Sequence, residues 1–498
     1  MDQNVVRLLA AAAANHGLRP AIVDRELAWS YSALSARAGA FAVACVAEGV
    51  RPGMRVAVLL ERGVDAAAAV FGVQATGAVA VIVNDRLRAR QAAHILDDSG
   101  AHVLVTTAGD LERVGLDPSG CCQVLDPAGI PAEAELRWIP RDPTDLAQLI
   151  YTSGSSGLPK GVMHTHGSIS AGVRTVTGYL GLVPADRVAS LLALSSVYGL
   201  NQLLCSVSVG AALVAIRSPL AADIVAAMRE SEVTVAAGVP PLWLQLLSVP
   251  GFQQPLRSLR QVQNAGGHLP VEAVRRMRAA QPQADLVLQY GMTETWRSTF
   301  LAPAEVDRRP GSMGRPMPGV ELLVVGEGGQ PVDAGETGEL VHAGPTIATG
   351  YWNSGEASAS VFRPHPVRSG ERAVFSGDFV RADRDGFLYF VGRHDRLIKT
   401  MGHRVGPDEI VDVLHASGQV REAVVAQEED AERGQRIVAW VVLADGGTID
   451  QIRRHFRAEL PPYMQPARVS VCEHLPRLPS GKYDVNGLRG EPRIPSSD

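Results

Sequence analysis

The sequence predicts an α/β fold. A large N-terminal domain, with two parallel α/β sheet subdomains and a β-barrel-like subdomain, precedes a small α+β C-terminal domain. The chain has 498 residues, which is too long for one hydrophobic core. Short β-rich runs alternate with helical segments through the first part of the chain, a pattern typical of parallel α/β sheets. Short strands interrupted by glycine follow, and a mixed helix and strand pattern ends the chain.

The first part of the chain shows the alternation of helices and strands. Apolar residues at helical spacing come first, two β-rich runs separated by a short turn come next, and further strands follow. The predicted elements are a helix at residues 5–14, a hairpin of residues 20–23 and 27–31, strands at 55–60, 79–83 and 102–106, and an alanine-rich helix at 65–76.

Residues 188–216 carry no charge over 29 positions and are long enough to cross a bilayer. Polar residues such as Asn201 and Gln202 dilute the hydropathy of this segment. We therefore expect a buried strand–helix–strand unit, and no membrane association. A helix at residues 224–230 and a strand at 233–237 continue the alternation, which predicts a second parallel sheet.

From about residue 320 the pattern changes to short strands at 321–325, 338–342 and 386–391, which favours the β-barrel-like subdomain. After Arg393 the chain has the pattern of a separate unit, so the predicted domains are residues 1–394 and 395–498. The predicted elements of the second domain are a helix at 408–417, strands at 421–427 and 436–443, and a helix at 448–460.

Composition and charge exclude several classes of partner. The net charge is −5, from 47 basic and 52 acidic residues, and no basic cluster stands out, so we expect no nucleic-acid partner. The five cysteines form no C-x-x-C pair, which suits a reducing, cytoplasmic location. Cys121 and Cys122 are adjacent, and we expect them in a surface loop. The N-terminus lacks the pattern of a signal peptide.

The segment Tyr151-Thr-Ser-Gly-Ser-Ser-Gly-Leu-Pro-Lys-Gly161 has the chemistry of a phosphate-binding loop. Its glycines let backbone N–H groups face an anion, its hydroxyls add donors, and Lys160 supplies positive charge. A Walker A loop needs four residues between its glycines, whereas Gly154 and Gly157 are closer together. The loop is therefore of another type. Composition alone leaves a flexible Ser/Gly linker as the alternative.

Further motifs follow this loop in order. They are Gln289-Tyr-Gly-Met-Thr-Glu294, Gly338-Glu-Leu-Val341 with Gly350-Tyr-Trp-Asn353, Ser376-Gly-Asp378, Gly392-Arg-His-Asp-Arg-Leu-Ile-Lys399 with Gly402-His-Arg-Val-Gly-Pro-Asp-Glu-Ile410, and Pro479-Ser-Gly-Lys482. Together they resemble the motifs of the acyl-adenylate-forming (AMP-binding) superfamily, which includes acyl-CoA ligases, adenylation domains and luciferases. The resemblance covers residues from about 15 to 490. It implies ATP-dependent activation of a carboxylic acid and a small domain that rotates between two half-reactions.

The resemblance implies a role for each matching residue. Contacts to phosphates are implied for Thr152, Ser153, Gly154, Ser155, Lys160 and Thr293, and Mg2+ ligation for Glu294 and Thr152. Contacts to the nucleoside are implied for Gly266, Gly267, His268, Tyr290, Gly291, Met292 and Asp378, with Tyr290 on adenine and Asp378 on ribose. Arg393 would bind ribose or phosphate. Lys482 would act between the carboxylate and the α-phosphate, with Thr293 and Glu294 as further catalytic residues. Asp395 matches the hinge of the small domain. Lys399 and Gly402 match the face of that domain that is turned toward the second acceptor.

These residue types suit the implied reaction. A carboxylate attacks the α-phosphate of ATP, so two anions must approach, and cations and donors are needed around them. Glu294 offers oxygen ligands to Mg2+, a hard cation, and Asp378 offers two acceptor oxygens to vicinal hydroxyls. Without the resemblance, Asp378 would be a turn residue and Lys482 a solvated surface charge.

The acid pocket is expected to be lined by residues 195–202, 237–240 and 295–298, with Val197, Tyr198, Asn201, Gly238 and Trp296 as substrate contacts. No acidic residue lies between Asp186 and Asp223, so the ammonium of an α-amino acid would be buried without a partner. Aryl, heteroaryl and fatty acids remain as substrates. The segment around Tyr198 also resembles a subgroup of acyl ligases and amide-bond synthetases. Several of those carry Asp where this chain has Val197.

The sequence leaves the second acceptor open. Coenzyme A is the first expectation, and an amine or a carrier-protein thiol is the alternative. The chain ends sixteen residues after Lys482, which predicts a freestanding ligase, and we expect a monomer or homodimer. A non-catalytic nucleotide sensor is the competing hypothesis, which the presence of Glu294 and Lys482 disfavours. His164 and His166 form an H-x-H pair without a third ligand nearby, so we expect structural histidines.

Overall fold

The computed structural model describes residues 4–25, 27–153, 159–393, 398–400, 403–430, 434–478 and 481–490. Its described strands form four sheets, of nine, six, five and five strands. No helix within the described ranges is both long enough and apolar enough to cross a membrane.

The first 165 residues contain the six-stranded sheet and, after helix α1, the hairpin of β1 and β2. Their helices are α1 (Arg7–His16), α2 (Tyr31–Ala47), α3 (Val64–Ala75), α4 (Ala89–Ser99) and α5 (Ala108–Val114), and their strands are β1 (Pro20–Asp24), β2 (Leu27–Ser30), β3 (Arg55–Leu59), β4 (Val79–Ile82), β5 (Val103–Thr106), β6 (Gln123–Leu125), β7 (Leu146–Ser153) and β8 (Pro159–Thr165). The predicted helices, hairpin and strands of this part are confirmed.

The six-stranded sheet has the order β6-β5-β3-β4-β7-β8. Its strand pairs are parallel except for β7 with β8, which form an antiparallel hairpin. The predicted phosphate-binding segment joins the two strands of that hairpin. The alanine-rich helix α3 is buried on all sides between Ala66 and Ala75, because small side chains let it pack closely against α2.

The nine-stranded sheet is built mainly from residues 187–316. The elements of this part are helices α6 (His166–Leu180), α7 (Val197–Val209), α8 (Ala221–Glu230), α9 (Pro240–Leu246), α10 (Val271–Ala280) and α11 (Pro303–Val306), and strands β9 (Arg187–Ser190), β10 (Ala212–Ala215), β11 (Val235–Gly238), β12 (Gln261–Asn264), β13 (Asp285–Tyr290), β14 (Thr299–Leu301) and β15 (Arg315–Pro316). Residues 188–216 form the predicted buried strand–helix–strand unit.

The order of this sheet is β15-β14-β13-β12-β11-β9-β10-β1-β2. Its central strands are parallel, and the N-terminal hairpin extends it through pairing of β1 with β10. The largest apolar core joins the two parallel sheets through α2, α3, α6 and α7, with Phe41, Phe71 and Leu200 fully buried. This layered α/β arrangement confirms the predicted fold class.

The third sheet is antiparallel and corresponds to the predicted β-barrel-like subdomain. It contains β16 (Glu321–Val325), β17 (Thr337–Ala343), β18 (Phe362–Pro364), β19 (Arg372–Ala382) and β20 (Leu388–Arg393), with the short helix α12 (Gly355–Val361) before β18.

The fourth sheet forms a separate C-terminal domain with its own apolar core, which includes Ile398, Leu414 and Phe456. Its elements are β21 (Ile398–Thr400), β22 (His403–Val405), α13 (Pro407–Ala416), β23 (Val420–Asp430), β24 (Gly434–Leu443), α14 (Ile449–Glu459), β25 (Arg468–Val471) and α15 (Val485–Gly490). The predicted boundary between residues 394 and 395 lies outside the described residues and stays a prediction.

Candidate active site

Three neighbouring strands end at one edge of the nine-stranded sheet, where two of the predicted nucleotide-binding segments follow. β11, β12 and β13 are parallel, and their register pairs Gly238 with Asn264 and Asn264 with Leu288. In open α/β sheets, ligands bind in the crevice outside the carboxyl ends of the strands. Residues 266–268 follow β12 and residues 291–294 follow β13, so the sheet brings both predicted segments to this crevice.

Glu294 is a buried carboxylate held by a tyrosine. It is 8% exposed, and its Oε1 accepts a hydrogen bond from the Tyr351 hydroxyl at 2.5 Å. Burial raises the pKa of Glu294, and the hydrogen bond from Tyr351 opposes that rise. The backbone here is fixed on both sides, because the Thr293 carbonyl accepts from His164 Nε2 and the Glu294 carbonyl accepts from the Ala348 amide, each at 2.8 Å.

His164 and His166 are buried structural residues. Burial lowers the pKa of His164 to about 4, so its ring is neutral at pH 7 and carries the Nε2 proton that it donates to Thr293. His166 Nδ1 accepts a hydrogen bond from the Val5 amide at 3.1 Å. Within the described ranges, no cluster of three or more His, Cys, Asp or Glu side chains could hold a metal ion.

The hairpin of β7 and β8 lies against the segment that carries Tyr351. Its register pairs Thr152 with Lys160, and the Trp352 amide donates to the Gly161 carbonyl at 2.7 Å. Lys160 Nζ lies 5.9 Å from the centroid of the Tyr351 ring. Tyr351, to which the sequence analysis gave no role, therefore connects the phosphate-loop hairpin to the buried carboxylate.

Asp378 contacts two other predicted nucleotide residues. The Tyr290 hydroxyl donates to Asp378 Oδ2 at 2.5 Å, and Arg393 Nε lies 3.2 Å from Oδ1. The register of β19 and β20 places Asp378 opposite Arg393, and the Asp378 amide donates to Ser376 Oγ at 3.1 Å. Burial and the Asp378 charge raise the pKa of Tyr290 well above its ordinary value, so its hydroxyl stays protonated and donates.

His268 connects the crevice to the C-terminal domain. Its Nε2 lies 3.0 Å from both carboxylate oxygens of Asp412 in α13, and Asp412 Oδ1 also accepts from the Val271 amide at 3.1 Å. Burial by itself lowers the pKa of His268, but the hydrogen bond and charge of Asp412, with the Asp408 charge, raise it to about 9. His268 is therefore positively charged at neutral pH.

The loop that carries Lys482 lies beside the same crevice. A Cβ placed on Gly481 would be 3.5 Å from Val239 Cγ2, and Val239 directly follows β11. The loop is closed by hydrogen bonds from the Gly481 amide to the Leu478 carbonyl and from the Leu478 amide to the Lys482 carbonyl, both at 2.8 Å. Lys482 itself is exposed.

The predicted acid-pocket residues of α7 and β11 lie together. α7 begins with a side-chain cap, because Ser196 Oγ accepts from the Gly199 amide at 3.0 Å. Tyr198 packs in an apolar cluster with Ala237 and Val239, and its hydroxyl donates to the Gln263 carbonyl at 3.1 Å. Three further predicted contacts, Val197, Asn201 and Gly238, are also buried.

Trp296 lies in the main core rather than on the surface of the crevice. It is 0% exposed. A Cβ on Gly172 would come within 2.4 Å of its indole Cδ1, and its ring meets the His164 ring edge-on at 5.4 Å between centroids. Its predicted contact with the acid stays a prediction.

A strained turn at Trp296 positions the next residue, Arg297. Trp296 has φ 66° and ψ −62°, and the Arg297 amide donates to the Thr295 carbonyl at 2.8 Å. This is the rare form of the γ-turn. Gly291 permits the turn, because a Cβ there would lie 2.8 Å from the Arg297 Cα. The sequence analysis included Arg297 in the pocket segment but gave it no role.

Several predicted residues have no described side-chain environment. Gly154, Ser155, Asp395 and Gly402 lie outside the described residues, and Ser153 and Lys399 are described only through their strands. Met292, by contrast, packs beside Tyr351 and Val162. Gly266 has φ 80°, a left-handed conformation that glycine adopts without strain.

Family models match most of the chain. One described as AMP-binding enzyme matches residues 9–352, and one described as AMP-binding enzyme C-terminal domain matches residues 409–482. Among curated proteins, the chain is 31% identical to tyrocidine synthase 3 over 94% of its own length and 29% identical to tyrocidine synthase 2 over 98%, both of Brevibacillus parabrevis. It spans only 7% and 14% of the length of those two relatives.

Solved structures of similar fold cover nearly all of the chain. The anthranilate CoA ligase AuaEII in complex with anthranoyl-AMP has a TM-score of 0.90 and 26% identity, with 98% of this chain and 96% of that chain covered. The o-succinylbenzoate CoA synthetase MenE of Bacillus subtilis, with its acyl-adenylate intermediate, has a TM-score of 0.85 and 27% identity, with 98% of each chain covered. A complex of MenE with ATP and a magnesium ion has a TM-score of 0.83, with 97% of this chain and 99% of that chain covered.

Proposed function

Because the chain belongs to the AMP-binding enzyme family, we propose that it activates a carboxylic acid with ATP, forming an acyl-adenylate and releasing pyrophosphate. The observation that carries this proposal is the pair of tyrosine-bound carboxylates, Glu294 and Asp378, at one crevice. The Asp378 charge also raises the pKa of Glu294, which supports the assignment of both carboxylates to one site.

In the proposed reaction, a carboxylate oxygen of the acid attacks the α-phosphorus of ATP. A new oxygen–phosphorus bond forms, and the bond from the α-phosphorus to the oxygen of the leaving pyrophosphate breaks. When bound, Mg2+ would neutralise charge on the phosphates. Glu294, a buried carboxylate, and the hydroxyl of Thr152 would supply its protein ligands. Two such oxygens fit Mg2+, because this ion is usually held by few protein ligands together with substrate phosphates.

Asp378 and Tyr290 would bind the nucleoside. Asp378 would accept hydrogen bonds from the ribose hydroxyls, and Arg393 beside it would compensate its charge. The hydrogen bond from Tyr290 to Asp378 fixes the phenol ring, which would then lie against the adenine. Gly291 and Met292 would continue this wall, and Gly266, Gly267 and His268 would form the opposite wall, where glycine allows close approach.

Positive charge and donors would surround the phosphates. Lys160, with Thr152, Ser153, Gly154 and Ser155, would hold the β- and γ-phosphates. Thr293 would bond the α-phosphate, and Lys482 would lie between the two reacting anions. A cation in that position lowers their repulsion mainly in the transition state, and such stabilisation accelerates the reaction. The position of the Lys482 loop beside Val239 supports this role.

For the second step we propose that the sulfur of coenzyme A attacks the acyl carbon of the adenylate, so that a thioester forms, the bond from the acyl carbon to the phosphate oxygen breaks and AMP leaves. The solved structures that match nearly the whole chain include two CoA ligases, and this supports a thiol acceptor. A carrier-protein thiol is the alternative supported by the likeness to the tyrocidine synthases, and a free amine is the third. The domain at residues 395–498 would rotate about Asp395, so that Lys399 and Gly402 face the acceptor.

The test is acid-dependent exchange of labelled pyrophosphate into ATP across aryl, heteroaryl, fatty and amino acids. We expect exchange with one acid class and none without acid. The best acid is then incubated with coenzyme A, with amines or with a purified carrier protein, and the product is identified by mass spectrometry. Absence of exchange with every acid, despite measurable ATP binding, would favour a nucleotide sensor and contradict the proposal.

A further inference from the structure

Arg297 is a buried cation whose charge the described protein does not balance. It is 2% exposed. Its Nε donates to Gln289 Oε1 at 3.1 Å and its Nη1 to the Trp296 carbonyl at 3.0 Å, and both acceptors are neutral. Among the residues that the structure describes, no carboxylate lies within ion-pair distance of this guanidinium. A buried charge without a counter-ion is costly.

The atoms around Arg297 are mostly unsatisfied hydrogen-bond donors. Arg297 Nη2 and Gln289 Nε2 are buried, and neither meets an acceptor at hydrogen-bond geometry within the described structure. The guanidinium carbon lies 4.1 Å from the centroid of the Tyr198 ring. Burial raises the pKa of Tyr179, and the Arg297 charge and a side-chain hydrogen bond from Arg297 oppose that rise. The Tyr179 oxygen therefore faces the guanidinium, and its own proton has no acceptor in the described structure. Such a set of donors is complementary to an anion.

The donor cluster reaches the predicted acid pocket on α7. Tyr198 belongs to that pocket, and its ring covers the guanidinium. Cys205, which lies in the field of Arg297, is 3.5 Å from Asn201 Oδ1. Asn201 Nδ2 is a further buried donor that has no partner among the described residues.

The backbone at this point is strained. Trp296, directly before Arg297, adopts the rare γ-turn with positive φ. Strain of this kind costs free energy and is found where function requires a side chain to be held in one place. Arg297 is four residues after Thr293, the residue proposed to bond the α-phosphate, so their Cα atoms are at most about 14 Å apart. This is within the length of an extended small diacid.

We infer that Arg297 is the specificity residue of the acid pocket and binds a second carboxylate, carried by the acid at the end remote from the reacting one. This inference rests on the proposed adenylation and names its substrate class, a dicarboxylic acid. The second carboxylate would pair with the guanidinium and accept from Tyr179 and Gln289. It would thereby balance the charge that the described protein leaves unpaired.

The test compares acids that differ only in that charge. Pyrophosphate exchange is measured with glutarate against monomethyl glutarate, and with isophthalate against its monomethyl ester. In the wild type, for at least one of these two pairs, we expect kcat/KM to be about tenfold to a hundredfold higher for the diacid than for its monoester. This is the contribution expected of a hydrogen bond to a charged group. Arg297→Met should abolish that preference, and Arg297→Lys should keep part of it.

Controls separate this assignment from a structural role. Arg137 has a side chain 83% exposed and pairs with Glu135, so Arg137→Met should keep the wild-type preference. The KM for ATP should stay unchanged in both Arg297 variants.

If kcat/KM for exchange falls equally with monoacids and diacids in Arg297→Met, Arg297 supports the fold or the reacting carboxylate. That result would overturn the inference. Exchange in the wild type without any preference for a diacid would overturn it too, whether or not the variants fold. The absence of exchange with every acid would instead contradict the proposed function itself.

Discussion

Arg37 and Arg297 are both buried, but their surroundings differ in kind. Arg37, in α2, is 8% exposed. Its Nε donates to Asp65 at 2.7 Å, and its two terminal nitrogens donate to the carbonyls of Pro127 and Pro131, both at 2.9 Å. Arg297 is 2% exposed and has two neutral acceptors and one terminal nitrogen without a partner in the described structure.

The difference separates a cation that holds the fold from a cation that recognises a ligand. Arg37 ties α2 to α3 and to the segment after β6, and its donors are matched by protein oxygens, so nothing further is needed to explain its burial. Arg297 is held by a strained turn, and the side chains that contact it, Gln289, Tyr179 and Tyr198, are neutral, so they do not balance its charge. Buried polar groups are normally satisfied, and a group that is not satisfied therefore deserves a functional explanation.

The largest expected effect concerns Lys482, which, like Arg297, is proposed to act on a bound ligand. Lys482→Ala should lower acid-dependent pyrophosphate exchange by at least about a hundredfold, because one electrostatic group in a transition state contributes that much. Circular dichroism and ATP binding should be unchanged. Exchange at the wild-type rate would remove Lys482 from the proposed site.

The second prediction concerns stability and compares the two arginines directly. Arg37→Met leaves four protein oxygens without their donor, so the free energy of unfolding in urea should fall by about 3 kcal/mol, with the half-exposed Asp65 limiting the loss. Arg297→Met removes a charge that lacks a counter-ion, so the free energy of unfolding should fall by less than half as much as in Arg37→Met. Equal losses for the two variants would show that both arginines are structural.

A third prediction tests Tyr351, which supports the Glu294 carboxylate. Tyr351→Phe removes a hydrogen bond that lowers the pKa of Glu294, so that pKa should rise further. Fewer molecules would then carry the ionised carboxylate at a given pH, and the acidic limb of the pH–rate profile for exchange should move to higher pH. The KM for Mg-ATP should rise by about tenfold. An unchanged profile would show that Glu294 does not act as an ionised ligand.

The smallest expected effect concerns the pair of His268 and Asp412. Asp412→Asn removes the charge that raises the pKa of His268 to about 9, so burial should then hold that pKa below its ordinary value of about 6.5. Because the pKa of His268 is raised in the folded protein, its ion pair with Asp412 stabilises the fold fully below about pH 6.5. This stabilisation is lost as the pH rises through about 9. NMR titration of the His268 ring in both proteins measures the change, and identical titration curves would contradict the assignment.

Local patterns in the sequence predicted most of the elements but not how distant ones combine. The hairpin of β1 and β2 and the unit at residues 188–216 follow from periodicity and length. Periodicity does not reveal that β1 pairs with β10, some 190 residues later, because strand pairing between distant segments depends on the register of the whole sheet.

The same limit applies to the candidate site. The motifs predict Glu294, Asp378 and Tyr290 as site residues. They do not predict the hydrogen bonds from Tyr351 to Glu294 and from Tyr290 to Asp378, because these join residues 57 and 88 positions apart. Arg297 was visible as the one cation within residues 295–298, in a pocket whose α7 segment has no acidic residue. That absence disfavours an ammonium ligand, but the sequence does not show that the Arg297 charge is buried without a counter-ion, because burial depends on the fold.

The proposed reaction is tested most directly by the products formed when the protein, Mg-ATP and an acid are mixed without an acceptor. The account predicts an acyl-adenylate, detected by mass spectrometry of the denatured mixture, and an equal amount of pyrophosphate, both absent when acid is omitted. Formation of ADP and inorganic phosphate in an acid-dependent reaction would place the attack at the γ-phosphate and contradict the account.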